Sequence, residues 1–200
     1  MAVDDHPLLR AGIASVINAE PGMIVVAEAG DLDEAVAAYK THHPDITLMD
    51  LRLTKGSGIE AIAAIRSLSP TARIIVLTTF GGDMLALQAF KAGASGYLLK
   101  SMMRTDLINT IRLVHAGQRR IPPEIAATIA EHAGEEYLTV RELAVLESIA
   151  MGKSNKIIAD DLKLSVHTVK GHVQSILAKL EASDRTHAVV IAIKRGIIER

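Results

Sequence analysis

The sequence predicts an α/β domain with a parallel five-stranded sheet, followed by an all-α domain of four helices. Two observations support this. Short segments rich in Val, Ile and Leu alternate with amphipathic segments over the first 116 residues, as expected for strands buried between helices. From Thr139 onward only helical periodicity occurs. The intervening residues 118–136 mix Gly, Pro and charge, which predicts a linker.

Each strand of the first domain is predicted where apolar residues run together. The five predicted strands are the stub 1–3 and the segments 23–29, 46–49, 73–78 and 96–99. The helices between them are predicted from spacings of i, i+4, i+7 and i+8, as in Leu9, Ile13, Val16 and Ile17 after Pro7. The other four helices of this domain lie near 32–41, 58–68, 83–92 and 104–116.

The second domain is predicted to begin with a capping box, in which Thr139 and Glu142 are three residues apart. Its four predicted helices lie near 140–151, 154–161, 165–181 and 185–195.

Composition excludes several classes of protein. Hydrophobic residues make up 49% of the 200 residues, which excludes wholesale disorder. The chain has no cysteine, so it has no disulfide framework and no thiolate metal site. A secretory signal and a long apolar run are both missing from the sequence, which predicts a cytoplasmic protein without a membrane partner.

Charge is distributed unevenly along the chain. The formal net charge is −1, but residues 163–195 carry six Lys and Arg against two Asp and Glu. Local positive charge of this kind favours binding to a polyanion. Aromatic residues make up only 2% of the chain, which disfavours stacking on unpaired bases.

Polar residues follow four of the predicted strands. Asp4 and Asp5 follow the first, Asp50 follows the third, Thr78 ends the fourth and Lys100 follows the fifth. The carboxyl ends of parallel strands meet at one edge of a sheet, so these groups are predicted to converge. Clustered carboxylates suit Mg²⁺, and a carboxylate can form an aspartyl-phosphate. Each residue also has an ordinary interpretation as a helix cap, turn residue or surface charge.

Residues 1–116 resemble the receiver domain of bacterial response regulators. The segments VDDHPLLRAGI, LMDLRL, VLTTF and KAGASGYLLK carry the resemblance. It implies a flavodoxin-like fold with strand order 2-1-3-4-5, and a sensor histidine kinase as the phosphoryl donor to Asp50. It also implies Mg²⁺ ligands from Asp4, Asp5 as the direct ligand, Asp50 and the backbone carbonyl of Arg52. Thr78 and Tyr97 would be the switch residues, and Lys100 would bind the phosphoryl group.

Two features depart from that family's pattern. Only residues 1–3 precede the acidic pair, where the family has five or six residues of central strand, so we expect a truncated first strand. Leu53 and Thr54 stand where the family often has Met-Pro, so the lifetime of the phosphate is expected to differ.

Residues 138–198 resemble the LuxR-type helix-turn-helix, most specifically in SVHTVKGHVQSILAKL. Together the two halves resemble a NarL/FixJ-type response regulator. In the third helix of this module, Val169 and Val173 share an apolar face with Ile176, Leu177 and Leu180. The opposite face is predicted to enter the major groove of double-stranded DNA, and we expect contacts from His167, Thr168, Lys170, Gly171 and Gln174.

Two further contacts are predicted for this module. Four residues at the start of its second helix are expected to hold DNA phosphates, namely Lys153, Ser154, Asn155 and Lys156. The resemblance implies that the last helix pairs two modules, as a homodimer, on a two-fold promoter site. Its residues expected at that contact are Ala188, Val189, Ile191 and Ala192.

The leading hypothesis is a transcription factor switched by phosphorylation, with a receiver at 1–117, a linker at 118–136 and a DNA-binding domain at 137–200. Such a protein is not an enzyme beyond the turnover of its own aspartyl-phosphate. Two alternatives stay open. One is a regulator that binds DNA without phosphorylation. The other is a Mg²⁺-dependent phosphohydrolase, which is disfavoured because Arg52 occupies the position two after Asp50 where a second acidic residue is needed.

Overall fold

The structure is a computed structural model that describes residues 1–79, 83–131 and 138–198. The described chain divides into two compact units, the first formed by most of residues 1–126 and the second mainly by residues after 126. No helix within the described ranges is long and apolar enough to cross a membrane.

The first unit is built on a five-stranded sheet in the order β2-β1-β3-β4-β5, and every strand pair in it is parallel. This confirms the predicted fold class and strand order. The strands are β1 (Ala2–Val3), β2 (Glu28–Ala29), β3 (Thr47–Asp50), β4 (Ile74–Thr78) and β5 (Gly96–Leu99). Every residue of β3 and β4 is buried, as expected for central strands covered by helices on both faces.

Ten helices are described in the chain. Their bounds are α1 (Pro7–Asn18), α2 (Leu32–His42), α3 (Gly58–Leu68), α4 (Asp83–Ala92), α5 (Met103–His115), α6 (Pro123–Glu131), α7 (Val140–Ala150), α8 (Asn155–Leu162), α9 (Val166–Lys179) and α10 (Arg185–Lys194). A single 3₁₀ turn at Lys100–Met102 connects β5 to α5. The α6 helix falls within the segment predicted to be a linker.

The second strand is much shorter than predicted, because the expected strand 23–29 pairs only at Glu28 and Ala29. In the register of the sheet, Ala2 lies opposite Glu28 and Val3 lies opposite Ala29. Residues 23–26 therefore lie beyond the reach of β1 and form no ladder with it. They line a cavity of about 350 Å³ together with Ile17 and Ile46.

One hydrophobic cluster of the first unit lies between the sheet and the helices α1 and α5. Ile13 of α1 and Leu107 of α5 pack against Leu48, Ile75 and Leu77 of the central strands. This packing and the register of the strands place the residues that end or follow β1, β3 and β5 at the carboxyl edge of the sheet.

The second unit is the helical module formed by α7 to α10 around one core, in which Val145, Leu146, Ile158, Val169 and Ile176 are fully buried. Each of these helices begins at a side-chain cap. Thr139, Ser154, Ser165 and Asp184 accept hydrogen bonds from backbone N–H groups of the first turns. The caps set where each helix starts and thereby orient α9 within the module.

Candidate functional site

The acidic residues predicted at the sheet edge converge on one lysine. The Lys100 ammonium nitrogen lies 2.6 Å from Asp4 Oδ2 and 2.6 Å from Asp50 Oδ2. Asp4 is fully buried and Asp50 is 3% exposed, whereas Asp5 is partly exposed. The structure therefore brings together residues from the ends of β1, β3 and β5, as the sequence predicted.

Burial and charge act against each other in this pocket. Desolvation raises the pKa of the Asp50 carboxyl above its ordinary value, and the hydrogen bond from Lys100 only partly offsets it. Burial lowers the pKa of Lys100, but hydrogen bonds and charges from Asp4 and Asp50 outweigh burial and leave that pKa raised. Lys100 is consequently a firmly protonated cation.

The carboxylates outnumber that cation. Asp4, Asp5 and Asp50 present three carboxyl groups to a single ammonium. Ligand atoms of these residues and of His6 all lie within 4.8 Å of one another. A small divalent cation with oxygen ligands fits the three carboxylates, because it would balance the excess negative charge.

The backbone of Arg52 lies beside the same carboxylate. Its N–H donates to Asp50 Oδ1 at 3.3 Å. A metal contact from its carbonyl oxygen stays a prediction.

The two residues predicted as switches are both buried. Thr78 ends β4, and its register partner Leu99 immediately precedes Lys100. The Tyr97 ring is fully buried at a centroid distance of 6.2 Å from Phe90, and burial raises the pKa of its phenol. The ring thus points into the fold, and its role as a switch stays a prediction.

Two residues that shape the pocket were missed by the sequence analysis. Arg10 donates from Nη1 to the backbone carbonyl of Asp4, and so fixes the start of the acidic loop. A Cβ atom on Gly58 would lie 2.0 Å from the Asp50 carbonyl oxygen, so only glycine fits there. The Ser57–Glu60 capping box was a readable signal for this turn, whereas nothing local marks Arg10.

In the helical module, α9 has the two faces that its sequence predicted. Val169 and Ile176 are buried in the core. The residues predicted to contact base edges are all exposed, namely His167, Thr168, Lys170, Gly171 and Gln174. A Cβ atom on Gly171 would meet nothing within 4 Å, so packing inside the module does not require glycine at this position.

Two of the four residues predicted to hold phosphates, Lys153 and Ser154, already have partners within the module. The Lys153 ammonium lies 2.8 Å from Asp161 Oδ2, and the Ser154 hydroxyl caps α8 by accepting from the Ile157 N–H. Arg185, which the sequence analysis missed, donates to the Lys153 carbonyl at 2.7 Å. Lys156 is exposed and Asn155 is half-buried.

The residues of α10 predicted to pair two modules need correction. Ala188 and Ala192 are buried in the core of their own module, so the prediction that they meet a second copy is wrong. Val189 and Ile191 pack partly against the same core. The helix is apolar on several sides, so its sequence did not reveal which side faces inward. The exposed residues are Thr186, His187, Val190 and Lys194.

A buried carboxylate ties α9 to the start of α7. Glu142 Oε2 accepts from the Thr139 N–H at 2.7 Å and from the Lys179 ammonium at 3.0 Å, while Oε1 accepts from the Ser175 hydroxyl. Burial raises the pKa of Glu142, but these hydrogen bonds outweigh it and lower the pKa to about 2. The bonds therefore require the ionised carboxylate.

Known proteins resemble the chain over both of its units. Residues 1–112 match the response regulator receiver domain family, and residues 136–192 match the luxR family of bacterial regulatory proteins. The uncharacterized transcriptional regulatory protein YxjL of Bacillus subtilis is 42% identical in an alignment that covers 98% of this chain and 95% of that protein.

Two solved structures are also similar. A LuxR-family two-component response regulator from Aurantimonas is 46% identical with a TM-score of 0.64, over 68% of this chain and 96% of that one. The response regulator ChrA of a heme-sensing two-component system is 31% identical with a TM-score of 0.57, over 99% of this chain and 97% of that one.

These relatives are regulators rather than classical enzymes, which counts against the phosphohydrolase hypothesis. Both halves of the chain match in the order receiver and then DNA-binding module, and YxjL and ChrA each match nearly its whole length. The sheet order 2-1-3-4-5 and the helical module agree with that assignment. The chain belongs to the two-component response regulators that act on transcription through a LuxR-type helix-turn-helix.

Proposed function

We propose that Asp50 accepts a phosphoryl group from a sensor histidine kinase in a Mg²⁺-dependent step, and that this modification controls DNA binding by the helical module. The observation that supports this best is the single Lys100 ammonium held 2.6 Å from both buried carboxylates, Asp4 and Asp50. Such a lysine is placed to pair with phosphoryl oxygens once Asp50 has reacted.

The transfer is a substitution at phosphorus. An Asp50 carboxylate oxygen forms the new P–O bond while the P–N bond of the donor phosphohistidine breaks, and the released imidazole takes a proton from solvent. A bound Mg²⁺ would neutralise charge on the phosphoryl oxygens; it would be held by the acidic pair Asp4 and Asp5, with Asp5 as the direct ligand, by Asp50 and by the Arg52 carbonyl. Lys100 then donates its hydrogen bond to the phosphoryl group instead of to Asp50. The Thr78 hydroxyl donates a second hydrogen bond to a phosphoryl oxygen.

The same proposal covers DNA recognition. The exposed face of α9 enters the major groove, Lys170 and Gln174 contact base edges or phosphates, and the start of α8 contacts the backbone. Two copies bind a two-fold site when phosphorylated. The domain boundaries that we propose are a receiver at 1–117, a linker at 118–136 and a DNA-binding domain at 137–200.

The proposal predicts one site of modification. After incubation with Mg²⁺ and a small-molecule phosphodonor, the intact mass of the purified chain should rise by one phosphoryl group. The Asp50→Asn variant should gain none, because an amide is not a nucleophile here. Asp45→Asn is the matched control, since Asp45 is exposed at the opposite end of β3 and should leave labelling unchanged. Normal labelling of the Asp50→Asn variant would contradict the proposal.

A further inference from the structure

A histidine lies directly against the acidic pair at the edge of the sheet. The Nδ1 atom of His6 is 2.6 Å from Asp5 Oδ1 and 3.3 Å from Asp4 Oδ1. Its backbone N–H also donates to Asp4 Oδ1 at 2.9 Å, and Pro7 follows at the first position of α1. The backbone of His6 is therefore fixed, and its ring is held beside both carboxylates.

The two oxygens of Asp4 serve different partners. Oδ2 lies beside Lys100, whereas Oδ1 lies on the side of His6. Both carboxylates are engaged, because Asp4 Oδ2 lies 2.6 Å from the Lys100 ammonium and Asp5 Oδ1 lies 2.6 Å from His6 Nδ1. The pocket is thus bordered by three carboxylates, which share the Lys100 ammonium on one side, and by the imidazole nitrogen of His6 on the other.

This donor set differs from an all-oxygen site. One ligand atom each from Asp4, Asp5, His6 and Asp50 lies within 4.8 Å of the others. Mg²⁺ prefers oxygen ligands and retains water, so an imidazole adds little to its binding. Imidazole is a good ligand for divalent first-row transition metals, whose affinities rise from Mn²⁺ towards Cu²⁺. The His6 side chain is 72% exposed, so its ring can turn towards a bound ion without disturbing the core.

We propose that His6 is an additional ligand that makes this pocket prefer a divalent transition-metal ion over Mg²⁺. The inference rests on the divalent-cation site of the proposed function. The ion is bound by Asp5, Asp50 and the His6 ring, and it competes with Mg²⁺ for the two carboxylates. Mg²⁺ binding itself depends on the oxygen ligands alone.

Co²⁺ is the probe for the test, because its visible absorption reports a nitrogen ligand directly. The full-length chain and its His6→Gln variant would each be titrated with Co²⁺ by absorption and calorimetry, and with Mg²⁺ by calorimetry. We expect His6→Gln to weaken Co²⁺ binding by about ten-fold or more and to change the Co²⁺ spectrum. Mg²⁺ affinity should change by less than about two-fold.

The control variant is His43→Gln, because His43 is an exposed histidine at the end of α2. It precedes the amino-terminal end of β3, whereas the pocket lies at the carboxyl ends of the strands. It should leave both affinities unchanged. An unchanged Co²⁺ affinity and spectrum in the His6→Gln variant would overturn the inference. If that variant still gains one phosphoryl group with Mg²⁺, the proposed function survives that failure. A wild-type chain that binds neither ion would overturn both.

Discussion

At the scale of single residues, the position of Asp50 depends on a neighbour that carries no side chain. The chain leaves β3 at Asp50 and returns at Gly58, whose N–H donates to the Leu51 carbonyl at 2.9 Å. This close approach leaves no space for a Cβ atom, which would lie 2.0 Å from the Asp50 carbonyl oxygen. The close contact with Gly58 therefore helps to fix the backbone of Asp50, and with it the geometry of the pocket.

We predict that Gly58→Ala destabilises the receiver by about 2 kcal/mol or more, because the added methyl group must push the Asp50 backbone aside. Phosphoryl labelling should fall with it. Urea denaturation and intact mass would measure the two effects. Gly12→Ala is the matched control, since a Cβ atom at Gly12 of α1 meets nothing within 4 Å. It should raise the free energy of unfolding by about 0.5–1 kcal/mol; equal effects of the two changes would contradict this account.

The sequence revealed some of these residues and hid others for a physical reason. Asp4, Asp50 and Lys100 were predictable because each directly follows an apolar strand, and a parallel sheet brings strand ends together. Arg10 was not predictable, since its partner is a backbone carbonyl rather than a residue type. Gly58 was visible only as a residue next to a helix cap, and its tight packing against Asp50 appears only in three dimensions.

At the scale of elements, Glu142 joins three roles in one side chain. It completes the cap of α7, and it accepts hydrogen bonds from Ser175 and Lys179 near the end of α9. The predicted DNA-contacting helix is thereby held at its carboxyl-terminal half, while Ser165 caps its amino-terminal end. The orientation of α9 is therefore set at its start by the Ser165 cap, near its end by the Glu142 carboxylate, and along its length by the core.

We predict that the helical module loses stability in acid through this carboxylate. The pKa of Glu142 is lowered to about 2 in the folded protein, so its contribution is fully present above the ordinary value of 4.5. It is lost as pH falls from about 4.5 towards 2, because the folded protein must then take up a proton that breaks these bonds. The loss should be on the order of 2 kcal/mol in the free energy of unfolding.

Urea denaturation of the helical unit between pH 7 and pH 2.5 would measure this change in the wild-type chain and in Glu142→Gln. The variant should be less stable at pH 7 and should depend less on pH. Glu147→Gln alters an exposed residue of the same helix and serves as the control. A variant at Glu142 with the pH dependence of the wild type would contradict the assignment.

The elements were predicted well where the residue pattern alone determines the structure. They were predicted poorly where pairing with another strand or packing against other helices determines it. The helices α7, α8 and α9 and the strands β3 to β5 follow their periodicity closely, and their caps are visible as Thr139 and Ser165. The segment 23–29 is apolar throughout, but it pairs only where β1 runs beside it. The inward side of α10 was misjudged because apolar residues surround much of that helix.

At the scale of the whole molecule, the attraction to DNA must come from a local excess of positive charge rather than from the net charge. The formal net charge of −1 gives no general attraction to DNA, so binding depends on the basic residues near α9. Lys170 is exposed on that helix, and residues 163–195 carry the local excess of positive charge.

We predict that Lys170→Ala weakens DNA binding and reduces the slope of log K against log salt by about one if Lys170 contacts a phosphate. Contact with a base edge would instead lower the affinity for a specific site by about 1–3 kcal/mol. Titrations of a specific and a random duplex at several salt concentrations separate these cases. Lys40→Ala makes the same charge change on an exposed receiver residue and should alter neither quantity. An unchanged affinity for both duplexes would remove Lys170 from the contact surface.

The burial of Tyr97 has a practical consequence for the whole protein. The chain contains three tyrosines and no tryptophan, so its ultraviolet emission comes from tyrosine alone. Tyr97 is fully buried beside Phe90, in the same strand that leads to Lys100, whereas Tyr39 lies on α2. A rearrangement around the fifth strand would therefore change the intrinsic fluorescence of the unlabelled protein. The molecule carries an optical reporter at the residue whose switching role is predicted, and no dye has to be attached to read it.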